Sequence, residues 1–124
     1  MATFGSLLKH YREAQELSLR ELATRSEVDH AYIHRLETGS KTTPSADVVD
    51  RLIKKLGVDK RVGSVMRLLA GREADDILVE LTLEEPRWPL EVFEAAMQAS
   101  FRGTRPATKD AWRKKLTQIK GILE

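Results

Sequence analysis

Leu17-Ser18-Leu19-Arg20-Glu21-Leu22-Ala23, followed by Val28-Asp29-His30-Ala31-Tyr32-Ile33-His34-Arg35-Leu36-Glu37-Thr38-Gly39, is the stretch whose reading decides the fold. Ser18 and Glu21 have the S-x-x-E spacing of a capping box, in which hydroxyl and carboxylate each satisfy an orphan backbone N–H. Leu17 and Leu22 flank that box at hydrophobic-staple spacing. A short helix is therefore predicted over about Leu19–Arg25. Asp29 offers the next N-cap, and Gly39 ends the helix it starts by taking the left-handed conformation. Within His30–Glu37, Ile33 and Leu36 are the inward positions, spaced i, i+3. His30, Ala31, Tyr32, His34 and Arg35 face away from that seam.

The flanking sequence supplies further helices. Phe4, Leu7, Leu8 and Tyr11 recur at i, i+3, i+4 and i+7, with Thr3 at the N-cap position. Pro44 and Ser45 open a helix carrying Val48, Val49, Leu52, Ile53 and Leu56, closed by Gly57. Asp59 caps another with Val62, Val65, Met66 and Leu69 inward, ended by Gly71. Two helices of about eight residues joined by a tight turn are too short to stand alone, so they must pack into a bundle. The second then shows solvent a face of hydrogen-bonding side chains. That is the physical description of a helix-turn-helix whose second helix enters the DNA major groove.

The Leu-x-x-Leu-Ala frame at 19–23, the Ile-x-x-Leu-Glu-x-Gly frame at 33–39 and the following Pro44-Ser45 resemble the phage repressor and Cro-type (XRE-like) helix-turn-helix family of transcriptional regulators. The resemblance runs from about Phe4 to Val58. It implies a five-helix phage-repressor-like domain over residues 1–71. It also implies base reading by His30, Ala31 and Tyr32, with His34 and Arg35 one turn on. Arg35 suits the bidentate contact to guanine O6 and N7, and Ala31 is small enough to meet a thymine methyl. Phosphate contacts carry over to Ser18 and Arg20, and to Thr38, Ser40, Lys41 and Thr43 in the loop after the reading helix. Arg12 and Glu37 match a structural salt bridge between the first and third helices. Three positions depart from the family pattern. Leu19 replaces a Gln, Glu27 replaces the turn glycine, and Glu16 replaces the glycine that ends the first helix.

Residues 72–124 read as a helical region for dimerisation or partner binding. Over 74–85, Ile77, Leu78 and Leu81 suit a helix, while Val79, Leu81 and Leu83 alternate as a strand does; helix is the favoured reading. Pro86 and Pro89 bracket Trp88 in a stiff corner. Leu90, Phe93, Met97 and Phe101 predict a helix over about Pro89–Ser100. Gly103 and Pro106 break the chain, and Thr108 caps a last helix. On it Trp112, Leu116, Ile119 and Leu123 are spaced 4, 3 and 4, with Arg113, Lys114, Lys115 and Lys120 on the polar side. Such a seam fits either an ordinary core stripe or a partner helix. The family context favours a homodimer interface, because two-fold repeats place reading helices in successive major grooves about 34 Å apart.

Composition sets the outer bounds. The 124 residues are 41% hydrophobic and 32% charged, which permits a core, so an all-α protein of helix-turn-helix domain plus C-terminal helical segment is expected. Net charge is +2, distributed as +1 over residues 1–57, −3 over 58–85 and +4 over 86–124. That balance permits a nucleic-acid partner without requiring one. The chain has no Cys, no apolar run of membrane-spanning length and no signal-peptide layout, so a cytoplasmic protein without a membrane partner is expected. His30 and His34 stand at a zinc-competent i, i+4 spacing. His10 is the only other histidine and the H-E-x-x-H glutamate is missing, so no metal and no cofactor are expected. Asp75, Asp76, Glu80, Glu84 and Glu85 read as a solvated helix flank. No G-x-S-x-G, Walker-type loop or nucleotide-binding glycine pattern occurs, so no enzyme is expected. The expected function is a repressor on an inverted-repeat operator; the alternative is an antitoxin or anti-repressor whose C-terminal half binds another protein.

Overall fold

Side-chain caps set where the helices of the first half begin. Thr3, Ser18, Asp29, Ser45 and Asp59 each accept a hydrogen bond from a first-turn backbone N–H. They start α1 (Phe4–Ala14), α2 (Leu19–Ser26), α3 (His30–Glu37), α4 (Ala46–Leu56) and α5 (Lys60–Leu68). The structure, a computed structural model, describes residues 1–39, 43–99 and 104–124. It divides into two compact units, Ala2–Glu73 and Ala74–Glu124, the latter including Met1. Two two-residue strands, Ala2–Thr3 and Glu73–Ala74, are the departure from an otherwise helical chain among the described residues.

In the first unit α1 packs on α3 and α5, α2 on α3 and α4, and α4 on α5. Leu8, Leu22, Ile33, Leu52, Leu56, Val65 and Met66 are fully buried between them. Helix α1 meets α3 at backbone distance. A Cβ on Gly5 would stand 1.8 Å from the Leu36 carbonyl oxygen, so no larger residue fits there. Gln15 Nε2 donates to the Leu56 carbonyl and ties the end of α1 to that of α4.

Glu16 and Glu27, the two residues standing where the resemblance would place glycine, both adopt left-handed backbone, with φ of 57° and 59°. Each exposed glutamate thus stores about 1–2 kcal/mol of backbone strain.

In the second unit α6 (Asp76–Glu84), α7 (Leu90–Gln98) and α8 (Lys109–Leu123) pack mutually. Residues 76–84 are helical because Asp75 accepts from the Ile77 and Leu78 N–H groups and starts a helix there. Val79 and Leu81 are both buried because α6 is covered by two neighbours, which widens its buried arc and mimics strand alternation. Ser100, Phe101 and Gly103, placed by sequence at the end of α7 and in the following break, lie outside the described residues.

The corner between α6 and α7 is pinned by one carboxylate. Glu85 Oε2 accepts from Arg113 Nη2 at 2.7 Å and Nε at 2.9 Å, while Oε1 accepts from Trp88 Nε1 at 3.0 Å. Arg87 lies over the Trp88 ring at 4.4 Å. The acidic cluster is therefore largely paired rather than merely solvated. Lys109 bridges Glu80 and Glu84, and Asp76 meets the Met1 amine.

Two predictions follow from strain and charge. Replacing Glu27 by Gly should raise the unfolding free energy by about 0.5–1 kcal/mol, the relieved strain less the greater chain entropy of glycine. A urea midpoint that stays put would show that the strain is offset locally. The hydrogen bonds from Arg113 and then Trp88 hold the Glu85 carboxyl at about 2, below the ordinary 4.5. A depressed folded-state value contributes stability that is present above pH 4.5 and is lost as pH falls toward 2. Trp88 and Trp112 both sit in the second unit, so tryptophan fluorescence melts report on it selectively. These melts should weaken between pH 5 and 2, and Glu85→Gln should flatten that part of the dependence.

Candidate nucleic-acid interface

Helix α3 buries Ile33 and Leu36, and the Glu37 carboxylate at its C-terminal end is also turned inward. Ala31, His34 and Arg35 are exposed, and His30 and Tyr32 are half-exposed. Tyr32 was expected to stand clear of the core; it instead lies partly against the groove shared with Val28, Val48 and Arg51. His30 Nδ1 is 3.9 Å from Asp29 Oδ1, at the N-terminal end of the face. Ala31, His34 and Arg35 thus form the solvent-facing part of α3, with His30 and Tyr32 at its margins.

That helix is clamped from behind. Arg12 Nε and Nη2 donate to the two Glu37 carboxylate oxygens at 2.7 and 2.9 Å, and Arg12 Nη1 donates to the Leu17 carbonyl at 2.7 Å. The Glu37 side chain is 3% exposed and that of Arg12 12%. The hydrogen bond to Glu37 raises the Arg12 pKa further still, so the guanidinium stays charged at any working pH. One fork-shaped cation therefore joins α1, the α1–α2 turn and the C-terminal end of α3. The third bond, to Leu17, carries no sequence signal beyond the presence of Arg12.

The residues expected on phosphates separate into four groups. Ser18 Oγ accepts from the Glu21 N–H, and the Ser18 N–H donates to Glu21 Oε1, both at 3.0 Å. Its hydroxyl proton and the first-turn N–H groups of Leu19 and Arg20 are what α2 can offer an anion. The Ser18 amide also holds the Glu21 carboxyl below its usual range, which keeps a negative charge beside that site. Thr38 Oγ1 donates to the His34 carbonyl at 2.9 Å, so its proton serves the end of α3 instead of a phosphate. Thr43 is exposed. Ser40 and Lys41 lie outside the described residues.

The expected dimer seam also divides. Trp112 and Leu116 are 1% and 0% exposed within a single chain, so they serve the core of the second unit and are unavailable to a partner. They are buried because α8 packs on both α6 and α7, which is the core-stripe reading of the same spacing. Ile119 is half-buried, whereas Leu123 is 50% and Ile122 83% exposed. Ile122, which falls outside the 4-3-4 pattern, is the apolar residue that the spacing missed. Among the described residues no group of three or more His, Asp or Glu side chains is arranged to hold a metal. No helix among them is long and apolar enough to cross a membrane.

Residues 3–63 match the family model of a helix-turn-helix domain. Over 58 residues the chain is 40% identical to a protein of Mycobacterium tuberculosis described as an uncharacterized HTH-type transcriptional regulator, and to its counterpart in a second strain. Those matches span 47% of this chain and 41% of each relative.

Removing the clamp tests its weight. Arg12→Ala leaves a nearly buried Glu37 carboxylate without its partner and should cost about 3–5 kcal/mol in guanidinium unfolding. Combining Arg12→Met with Glu37→Leu should recover most of that loss. A loss below about 1 kcal/mol for Arg12→Ala would mean that packing alone seats α3.

Proposed function

We propose that the chain is a sequence-specific DNA-binding transcriptional regulator that reads the major groove with α3. The observation that carries this reading is the exposed face of His30, Ala31, His34 and Arg35 on a helix fixed by the Arg12–Glu37 clamp. The helix-turn-helix match over residues 3–63 and the description of the mycobacterial relatives support it. In this reading Arg35 donates two hydrogen bonds to guanine, and the end of α3 carrying His30, Ala31 and Tyr32 enters the groove. Arg20, Ser18 and Thr43 contribute phosphate contacts that set register without selecting sequence.

The regulator acts as a homodimer on an inverted repeat and represses by occluding polymerase. The dimer surface is narrower than the sequence spacing implied, comprising Ile119, Ile122 and Leu123 at the end of α8. The exposure of Ile122 and Leu123 favours an interface there. In the antitoxin or anti-repressor reading, the same surface takes a different protein.

A salt-dependent titration against the chain's own upstream DNA and a scrambled duplex tests the proposal. Binding should be selective and should weaken steeply as salt rises. Arg35→Ala should lose about 1–3 kcal/mol and relax preference at one operator position. Arg20→Ala should weaken all duplexes alike and reduce the salt slope by about one. Equal binding to both duplexes would overturn specific regulation at that DNA. Sedimentation should show a dimer that Ile122→Asp with Leu123→Asp dissociates; a wild-type monomer would instead favour the partner-protein reading.

A further inference from the structure

One contact on α3 has a task that spacing alone does not assign. Tyr32 and Arg35 are three residues apart on the helix, and the Arg35 guanidinium carbon lies over the Tyr32 ring, 5.5 Å from its centroid. The two side chains differ in setting: Tyr32 is half-buried, Arg35 exposed. Tyr32 and Arg35 line one open groove together with Val48 and Arg51 of α4. Arg12, Arg51 and Arg67 in the same unit are each held by a carboxylate. Among the described residues Arg35 forms no ion pair, although Glu27 and Asp29 border the same groove.

The difference matters chemically. A carboxylate engages the N–H edge of a guanidinium, the edge that a guanine must use. An aromatic face attracts the flat side of the cation through its quadrupole and leaves that edge free. Ordering a long arginine on binding costs conformational entropy, and a side chain already restrained loses less. We propose that Tyr32 is a positioning residue, which holds the Arg35 guanidinium over its ring so that the N–H edge is preset for the guanine O6/N7 pair. Tyr32 then sets specificity through Arg35 instead of reading a base itself. This rests on the DNA-reading proposal above.

The probe is the duplex that the wild-type protein enriches from a random-sequence pool, with its single-base variants. Tyr32→Phe keeps the ring and should bind within about twofold of wild type. Tyr32→Leu should weaken binding by about three- to fivefold, the range of an exposed cation–π contact, and blunt the preference at the base that Arg35→Ala relaxes. Against an Arg35→Ala background, Tyr32→Leu should change nothing further. Equal losses with and without Arg35, or a loss in Tyr32→Phe, would overturn the proposal in favour of direct contact by the ring or its hydroxyl. Unchanged binding by Tyr32→Leu would overturn it as well. Independently of any variant at position 32, the Arg35 side-chain protons of the free protein should carry an upfield ring-current shift, and its absence would refute the stack. Failure of the wild type to enrich any duplex would instead sink the DNA-reading proposal on which this one stands.

Discussion

A single guanidinium governs the first unit. Among the described residues, Arg12 joins the first helix, the turn that follows it and the far end of α3 by directed bonds. Apolar contacts at Leu8, Ile33 and Leu36 bring the helices together but are non-directional. A two-pronged carboxylate contact fixes angle and register as well as proximity. Gly5 lets this happen at short range, because the backbone of α1 touches that of α3 where any side chain would intervene. The exposed face of α3 inherits its orientation from those two contacts.

Much of the first unit was legible because its signals are local. Ser18 with Glu21, Asp29, Ser45 and Asp59 cap helices where the sequence placed them, since a cap depends on residues only two or three positions away. The paired roles of Arg12 and Glu37 came from the resemblance, as no local rule links residues 25 apart. Glu16 and Glu27 also show the limits of local preference. Their propensity argues against left-handed backbone, yet the packing on either side imposes it. Thr38 could not be assigned from type alone, because a threonine ending a helix can turn its hydroxyl to solvent or back onto a carbonyl, as it does here.

The second unit was harder to read for two physical reasons. Its helix α6 is covered on two sides, so the burial pattern broadens and the helical period blurs. A 4-3-4 stripe of two turns also does not specify whether its partner belongs to the same chain or another. Trp112 and Leu116 went to the intramolecular core, where α6 and α7 meet them, and the stripe ran out of neighbours only at its end. The Glu85 hub was invisible in sequence because an acidic run gives no sign of which carboxylate an arginine 28 residues later will select.

Both units thus close on the same device, an arginine fork gripping a glutamate across a modest span of chain, 25 residues in one and 28 in the other. Closing loops of such similar length costs nearly equal chain entropy, because that cost grows only with the logarithm of the span. The first unit also closes over longer spans, since Gln15 donates to the Leu56 carbonyl 41 residues on and α1 packs on α5. Each unit also draws its core from its own helices, so neither must wait for the other to nucleate. During synthesis the helix-turn-helix can mature while the C-terminal helices are still emerging, and the nascent chain then exposes only one unfinished core at a time.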